Sequence, residues 1–394
     1  MTTKIRASKY RHLFGKDEQQ RNCFNNVNVG SPAPDADLIR ANGRYFAVPW
    51  ATPGTLCVVP LATPGAVDRD NLPLIVQDDE ASVNAFAFHP FDDHLVATAT
   101  QDAKAHLWRF PEGGLTADIT TPVQTFAGGH ATRLVLIDFH PLAEGVLVTV
   151  GADKTVRLWD VESAGERVVL TDHRDQITSL TWNPDGSQLA TFCKDKKLRI
   201  FDPRGKAVVS EVAAHEGTKG GRVQWLGPLG QILTTGFTRQ SEREIRVWDP
   251  RNFAQPLVTQ KLDVSPAMLL PVYDADTGVL FLSGKGDGLM RTFELTDSAP
   301  FLNPLSNKPA AGITCVPKHG LNVKECEIAR FYKLSGREVI PISFMVPRLN
   351  KDFFQDDLFP DTWDGQPAYT ADSWFGGASG NSGNKVSLKP ADMD

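Results

Sequence analysis

The sequence predicts an all-β fold in which small antiparallel sheets repeat around a central axis. Three observations predict it. First, a unit of apolar strand, tight turn, apolar strand, Asp-bearing turn and apolar strand recurs and ends in an aromatic residue, at Trp108, Trp159, Phe201, Trp248 and Phe293. Second, subtracting these positions gives spacings of 51, 42, 47 and 45 residues, about the length of a WD-repeat blade. Third, such sheets are too apolar to stand alone in water, so they must stack, which predicts a WD-repeat β-propeller.

Seven blades are predicted within residues 1–346. Residues 27–61 contain two apolar runs around a turn but no aromatic ending, and we interpret them as a divergent first blade. The five repeats form blades two to six, and residues 313–345 contain three strand-like runs of a seventh blade. This last blade lacks one strand. We expect residues 6–13 to supply it and close the ring, which removes the exposed edges of an open propeller.

The repeat pattern ends after residue 346. Residues 347–377 contain more aromatic side chains than a free segment would carry, so we predict that this extension packs on a face of the propeller. Residues 378–394 are rich in Gly, Ser and Asn, and this composition predicts a flexible tail.

The composition excludes several classes of protein. The formal net charge of −6 over 394 residues argues against nucleic acid as the partner, because phosphate binding needs a basic field. No run approaches the ~20 apolar residues of a transmembrane helix, and the N-terminus has no signal-peptide pattern. The five cysteines are odd in number and lack paired metal-ligand spacing, so no metal is expected and a cytoplasmic setting is the default.

Polar residues recur at fixed places in the repeats. His130 precedes one blade, and with Thr149, Asp153 and Trp159 it is predicted to form an internal hydrogen-bond chain. The corresponding residues of later blades are His173, Asp195 and Trp248. Because the same blade position recurs, and a catalytic group needs no repetition, these residues are interpreted as structural.

The sequence contains no catalytic constellation. The glycine-rich run from Ser283 to Gly288 lacks the spacing of a phosphate-binding P-loop and is not followed by a helix pattern. No Ser, Cys or Thr lies in a nucleophile-elbow context. We therefore predict a protein that is not an enzyme and that needs no cofactor.

Two groups of basic residues stand out in this acidic chain. Lys16 and Arg21 lie in a basic N-terminal segment, and a second group occupies one blade turn, at Lys194, Lys196 and Lys197. Each group is either solvated surface charge or a local positive patch that steers an acidic partner. A patch of this kind acts despite the negative net charge, because salt screening confines charge effects to ~8–10 Å.

Both ends of the chain resemble one family. Residues 8–29, SKYRHLFGKDEQQRNCFNNVNV, are similar to the segment that begins coronins, and residues 357–377 resemble the segment after their propeller. The internal runs LIRANGRYFAVPW and GKGDGLMRTFEL are also coronin-like. The resemblance covers nearly the whole chain. It implies a seven-bladed propeller, closed by the N-terminal strand, that binds filamentous actin and regulates filament organisation without catalysis in the cytoplasm, at the actin cytoskeleton and cell cortex.

The resemblance carries over to individual residues only in part. Where familiar coronins have an actin-contacting Arg, this chain has Asn28, which cannot supply the charge. Lys16 and Arg21 are therefore the leading candidates for actin contact, and the group of Lys194, Lys196 and Lys197 is second. Coronins continue into a linker and a coiled coil that oligomerises them, and longer segments contact the actin-branching complex. This chain has no heptad run, so we expect either a truncated piece of a longer protein, which we favour, or a monomeric variant.

Two other classes remain as alternatives. A general WD-repeat scaffold, for instance a substrate adaptor of a ubiquitin ligase, would capture other proteins and show no affinity for filaments. A hydrolase with a site in the central channel would contain a pocket with perturbed carboxylates or histidines. The coronin-like ends disfavour the scaffold, and the missing catalytic constellation disfavours the hydrolase.

Overall fold

The computed structural model describes residues 8–30, 36–77, 81–295, 301–306 and 310–393. Seven antiparallel sheets stand around a central channel, and this confirms the predicted seven-bladed β-propeller. Each sheet has strands a to d, counted from the axis outward. The alternation of a strand with a tight turn in the sequence produces these meandering sheets, because consecutive antiparallel strands need only short connections.

The strands follow the chain order of the predicted blades. Two N-terminal strands come first, β1 (Phe14–Asp17) and β2 (Phe24–Asn25). Blades 1 to 3 contain β3 (Arg40–Ala41), β4 (Tyr45–Pro49), β5 (Thr55–Pro60), β7 (Ile75–Val76), β8 (Val83–Phe88), β9 (Leu95–Thr100), β10 (Ala105–Arg109), β11 (Gln124–Phe126), β12 (Leu134–Phe139), β14 (Val146–Gly151), β15 (Val156–Asp160) and β16 (Gly165–Leu170). Two short strands in the same stretch pair elsewhere: β6 (Gly65–Ala66) pairs with β2 in the blade 7 sheet, and β13 (Ala143–Glu144) pairs with the C-terminal segment.

Blades 4 to 7 continue the pattern. They contain β17 (Ile177–Trp182), β18 (Leu189–Cys193), β19 (Lys197–Asp202), β20 (Ala207–Ala213), β21 (Arg222–Trp225), β22 (Ile232–Phe237), β23 (Glu242–Trp248), β24 (Val258–Val264), β25 (Leu269–Asp274), β26 (Val279–Gly284), β27 (Leu289–Glu294), β28 (Phe301–Ser306), β29 (Gly312–Cys315), β30 (Glu327–Ser335) and β31 (Glu338–Met345). The C-terminal segment contains β32 (Thr362–Trp363), β33 (Tyr369–Thr370), the helix α1 (Ala371–Phe375) and β34 (Lys385–Val386).

The N-terminal segment completes blade 7. Strand β1 pairs antiparallel with β31, with Phe14 opposite Met345, and so takes the place of strand d. The closing strand is therefore residues 14–17, and the position predicted for it, residues 6–13, was wrong. Of that segment, residues 8–13 form turns whose Tyr10 and Leu13 side chains are buried against blades 6 and 7. An edge strand would expose the Tyr10 and Leu13 side chains, which are instead buried in an apolar cluster. Residues 6 and 7 lie outside the described part.

The apolar core lies between the blades. Seven clusters of buried side chains each join two neighbouring blades. Trp159 of blade 3, for example, packs in one cluster with Ala97 and Leu107 of blade 2. Every sheet therefore buries both faces, and this is the physical reason that the unit repeats around a ring.

The two faces of the propeller are made from different turns. Because the strands of each blade alternate in direction, the a–b and c–d turns lie at one end of the channel and the b–c turns lie at the other. We call these ends the a–b face and the b–c face. The a–b turn of blade 4, for instance, runs through Gly186, whereas the b–c turn of the same blade runs through Asp195.

The C-terminal segment lies on the a–b face. The hydroxyl of Thr362 donates to Asp276 of blade 6 at 2.7 Å, and the Trp363 ring lies 5.7 Å from the Phe91 ring of blade 2. Further along, the indole N–H of Trp374 donates to the Gly186 carbonyl of blade 4 at 3.0 Å. Blades 6 and 2 are on opposite sides of the ring, so the segment crosses the end of the channel at Thr362 and Trp363.

Residues 378–393, predicted to be a flexible tail, make several contacts on the a–b face. Strand β34 pairs with β32, and Met393 is 7% exposed. Asp392 forms an ion pair with Lys324 of blade 7. Most other side chains of this segment are exposed, and its flexibility stays a prediction.

Candidate functional site

Four of the predicted network residues meet in blade 3. The indole N–H of Trp159 donates to the Thr149 hydroxyl oxygen at 2.8 Å, and that oxygen lies 2.8 Å from Nε2 of His130. Nδ1 of His130 lies 3.0 Å from Asp153. Since the threonine has one proton to donate to Nε2, the neutral histidine with its proton on Nδ1 satisfies the whole chain. Burial lowers the pKa of His130, although Asp153 opposes this, so the neutral form is favoured.

The network is not repeated in blade 4. Nε2 of His173 lies 2.8 Å from the Thr191 hydroxyl, but its Nδ1 has no hydrogen-bond partner among the described residues. Asp195 instead accepts a hydrogen bond from Nη2 of Arg199 at 2.7 Å. Phe201 occupies the place of the tryptophan and has no N–H to donate. Burial, together with the nearby Arg199, lowers the pKa of His173 to about 4.

Blade 5 contains a variant that sequence reasoning missed. Trp248 donates to the Thr234 hydroxyl at 2.9 Å, and Nε2 of His215 lies 2.9 Å from the same oxygen. The carboxylate partner of His215 is Glu244, at 2.8 Å from Nδ1. Glu244 belongs to strand β23, whereas Asp153 of blade 3 lies in the turn before the strand. The strand register is the same in both blades, since Thr149 lies opposite Arg157 and Thr234 lies opposite Arg246. Glu244 takes the place that Thr155 has in blade 3, and so its carboxylate reaches the histidine.

This difference between blades predicts unequal mutational effects. Thr149→Val is expected to lower the free energy of unfolding by about 2 kcal/mol, because it leaves the buried Trp159 and His130 nitrogens without partners. Thr191→Val, the matched change in blade 4, removes only one such contact and should cost about 1 kcal/mol. Urea unfolding followed by tryptophan fluorescence measures both. Equal losses for the two variants would show that the longer chain in blade 3 adds nothing.

The N-terminal basic candidates lie on the rim of blade 7. Lys16, on the outer strand β1, and Arg21, in the following turn, are exposed and have no hydrogen bond or ion pair with another described residue. Asn28 lies between blades 7 and 1 on the b–c face, where its carbonyl accepts a hydrogen bond from the Ala51 N–H at 2.9 Å. The Asn28 side chain is half-buried and carries no charge. Arg21 and Asn28 therefore lie near the b–c end of blade 7, whereas Lys16, opposite Ser343, lies on the outer rim closer to the a–b end.

The second basic candidate group lies in blade 4, on the far side of the ring. Nζ of Lys194 donates to Gln176 at 3.1 Å, and Nζ of Lys196 donates to the Glu216 carbonyl at 2.8 Å. Lys197 forms an ion pair with Glu211. Blades 5 and 6 separate this group from blade 7. The structure does not bring the two basic groups together, and in blade 4 it gives Lys197 an internal counterion.

The b–c turns of the propeller share a positive charge that is not evident from clusters of basic residues along the chain. Six of the seven turns carry a Lys or Arg, namely Lys104, Lys154, Lys194, Lys196, Arg239, Lys285 and Arg337. Their only carboxylates are Asp102, Asp153, Asp195 and Asp287, so seven cations against four anions give these turns a net charge of +3. Comparing equivalent turns between repeats would have found this pattern in the sequence.

The a–b turns have the opposite balance of charge. Their cations are Arg44, Lys318 and Lys324, and their carboxylates are Asp92, Asp93, Glu144, Asp185, Asp276 and Glu325. Three cations against six anions give a net charge of −3. The C-terminal segment lies on this face, so the positively charged b–c turns are on the face that this segment leaves uncovered.

Arg337 supplies a charge next to Asn28. It is the b–c turn residue of blade 7, and its carbonyl accepts a hydrogen bond from the Val27 N–H at 3.0 Å. Its side chain is exposed and has no partner among the described residues. Arg337 therefore bonds the residue next to Asn28 across the blade boundary. Sequence reasoning missed it because the two positions are more than three hundred residues apart.

Within the described ranges, no group of three or more His, Cys, Asp and Glu side chains is placed to hold a metal ion. The same part of the chain has no helix with the length and apolar character needed to cross a membrane. The residues that stand out are surface cations and buried structural histidines.

Family comparisons agree with the repeat architecture. Residues 74–109, 120–160 and 166–202 match the family described as "WD domain, G-beta repeat", and residues 339–382 match a "Type of WD40 repeat". Residues 3–66 match a domain of unknown function, DUF1899.

Individual relatives match nearly the whole chain. Coronin-A of Dictyostelium discoideum is 42% identical over 96% of this chain and 85% of its own length. Coronin-7 of Mus musculus is 38% identical over 98% of this chain, which spans 43% of that longer protein. The crystal structure of the WD40 domain from Toxoplasma gondii coronin superposes with a TM-score of 0.89 at 30% identity, and the match covers 96% of this chain and 97% of that domain.

Proposed function

This chain belongs to the coronin family, and from that premise we propose that it binds filamentous actin through its b–c face and regulates filament organisation without catalysis. The observation that carries the proposal is the net charge of +3 on the b–c turns of a protein whose overall charge is −6. An acidic partner is attracted to this face and repelled by the a–b turns. The expected location is the cytoplasm, at the actin cytoskeleton and cell cortex.

A broad ring of turns suits a polymer better than a small substrate. Turns from different blades reach separate points of a partner surface, and each exposed cation contributes little by itself. Contacts spread over more than one subunit would favour the filament over the monomer, because only the filament presents them together. Lys16 and Arg21 on the rim, with Arg337 beside Asn28, form the leading contact edge, and Lys194, Lys196 and Lys197 form the second.

Filament bundling and contact with the actin-branching complex are proposed to need more than one propeller. Bundling requires at least two filament sites in one particle, and a single propeller has one b–c face. We therefore expect this chain to bind filaments and to bundle them poorly unless it is dimerised.

The test is cosedimentation with filamentous actin over a salt series. Binding should be saturable and should weaken as salt rises. The double variant Lys16→Glu/Arg21→Glu and the single variant Arg337→Glu should each raise the dissociation constant about tenfold, because attraction is replaced by repulsion at the same points. The salt dependence should become shallower in both variants.

Lys206→Glu is the matched control. Lys206 is an exposed c–d turn residue of blade 4 on the opposite face, without a side-chain partner among the described residues. Its reversal should leave the dissociation constant unchanged. Binding that survives Lys16→Glu/Arg21→Glu and Arg337→Glu would remove the blade 7 edge from the proposal, and a chain that stays in the supernatant at low salt, even when dimerised, would contradict filament binding itself.

A further inference from the structure

The central channel of the propeller is a cavity that the C-terminal segment crosses at one end. It has a volume of about 590 Å³ and is lined by the innermost strands of all seven blades. Thr362 and Trp363 of the C-terminal segment contact blades 6 and 2 and so cross its a–b end. The remaining entrance is on the b–c face. A volume of this size lies within the usual range of small-molecule sites.

The open end is lined by charged side chains. Arg40 of blade 1 donates to Asp37 at 2.7 Å, and Nη2 of Arg222 of blade 5 lies 3.7 Å from the same carboxylate. Lys285 lies nearby and donates to the Ala36 carbonyl at 2.9 Å. Burial alone would raise the pKa of Asp37, but Arg40, Arg222 and Lys285 lower it, so Asp37 is ionised. Three cations around one carboxylate leave a net positive charge at this entrance.

Hydrogen-bond donors in the channel exceed their partners. Nε of Arg40 and Nε1 of Trp182 are both buried and have no hydrogen-bond partner among the described residues. Trp182 is 8% exposed and lines the cavity near its a–b end. Among the described lining residues, no buried side-chain acceptor atom lacks a hydrogen-bond partner. Because buried polar groups normally have partners, two orphaned N–H groups favour a bound group that only accepts hydrogen bonds.

The wall between these donors is largely apolar. Leu136, Ile137, Leu180, Leu270 and Ile313 contribute to it, and Asp138 is the one carboxyl group among them. Burial raises the pKa of Asp138, which favours the uncharged form that can itself donate a hydrogen bond. A ligand that fits this channel therefore combines an oxyanion head with an apolar body.

From these observations we propose that the central channel is a binding site for a small organic anion, with its carboxylate or similar oxyanion held by Arg40 and Arg222 and its apolar body inside the channel. Asp37 competes with the ligand for the two guanidinium groups. The two guanidinium groups belong to the innermost strands and not to the b–c turns, although Lys285 of one such turn lies at the entrance, and the site does not depend on the proposed binding of actin.

The experiment compares two fluorescent probes of the same shape. Anilinonaphthalene sulfonate carries an anionic head, and phenylnaphthylamine is the same body without it. We expect the sulfonate to bind at one site per chain and at least about tenfold more tightly than the neutral probe, because charge-assisted hydrogen bonds need the anion. Equal affinities would overturn the proposal.

Variants with opposite expected effects locate the site. Arg40→Met should weaken sulfonate binding about tenfold and leave the neutral probe unchanged, whereas Asp37→Asn should strengthen sulfonate binding because it removes the competing carboxylate. Arg44→Met, an arginine on the opposite face that is 56% exposed, is the matched control and should have no effect.

A further variant tests the channel itself. Leu180→Trp fills the channel without changing its charge and should reduce the binding of both probes. Thermal melting of each variant checks that the fold is intact. Sulfonate binding that is insensitive to Arg40→Met, Asp37→Asn and Leu180→Trp in folded protein would place the probe elsewhere and overturn the assignment.

Discussion

Trp374→Ala is expected to lower the free energy of unfolding by about 3–5 kcal/mol, the usual cost of removing a large aromatic side chain from a core. Trp374 has no exposed surface and belongs to the apolar cluster between blades 3 and 4. Its ring lies 5.7 Å from the Trp182 ring and 4.8 Å from the His140 ring. The alanine variant therefore leaves a cavity and also leaves the Gly186 carbonyl without its N–H donor.

Chemical denaturation measures this loss, and limited proteolysis shows where it acts. Cleavage within residues 347–393 should become faster in Trp374→Ala, because the segment loses its deepest anchor on the a–b face. Phe353→Ala is the matched control in the same segment, since Phe353 is 56% exposed and should cost below about 1 kcal/mol. An unfolding free energy of Trp374→Ala within about 1 kcal/mol of the parent would mean that the segment contributes nothing to the stability of the propeller.

Arg243→Met is the second large effect, with an expected loss of about 3 kcal/mol. Arg243 has a side chain only 2% exposed and binds Asp263 of its own blade at 2.5 and 2.7 Å. Its Nη1 also lies 2.6 Å from Asp287 of blade 6, so one guanidinium joins blades 5 and 6. Removing it leaves Asp287 without this cation, and Asp263 then keeps only its ion pair with Arg291 among the described residues. The loss is at the low end for a buried pair because both carboxylates retain some contact with solvent.

A double-mutant cycle separates this link from a general packing effect. Asp287→Asn in the Arg243→Met background should recover part of the loss and give a coupling energy of about 1–2 kcal/mol. Arg251→Met is the matched control, because Arg251 is 86% exposed, has Asp249 as its one ion-pair partner among the described residues and should cost far less than Arg243→Met. A coupling energy of zero would show that the Asp287 contact does not hold the blades together.

The sequence predicted the architecture well because the propeller is a local pattern repeated. Each blade contains strands that follow one another in the chain, so the spacing from Trp108 to Phe293 reports the blade length directly. Ring closure was harder to place, since β1 pairs with a strand more than three hundred residues away. Alternation alone could not distinguish residues 6–13 from residues 14–17. The choice depends on where Tyr10 and Leu13 find an apolar pocket.

The candidate contact residues stay a prediction, and only some of their neighbours could be found along the chain. Lys16, Arg21 and Asn28 were singled out because they are close in sequence, and the structure places Arg21 and Asn28 near the b–c face and Lys16 closer to the a–b end of the outer rim. Arg337 was missed although it lies across the blade boundary from Asn28, and Lys197 was included although Glu211 pairs with it. Neither neighbour is visible along the chain.

The sequence by itself determined the repeat, the number of blades and the membership of the coronin family, because these depend on the spacing and identity of nearby residues. Only the tertiary structure decided which carboxylate reaches each buried histidine, on which face the positively charged b–c turns come together, and where the C-terminal segment crosses the end of the channel. These properties depend on distances between residues that are far apart in sequence. Closure of the ring sets those distances, and it does so only when all seven blades are packed together.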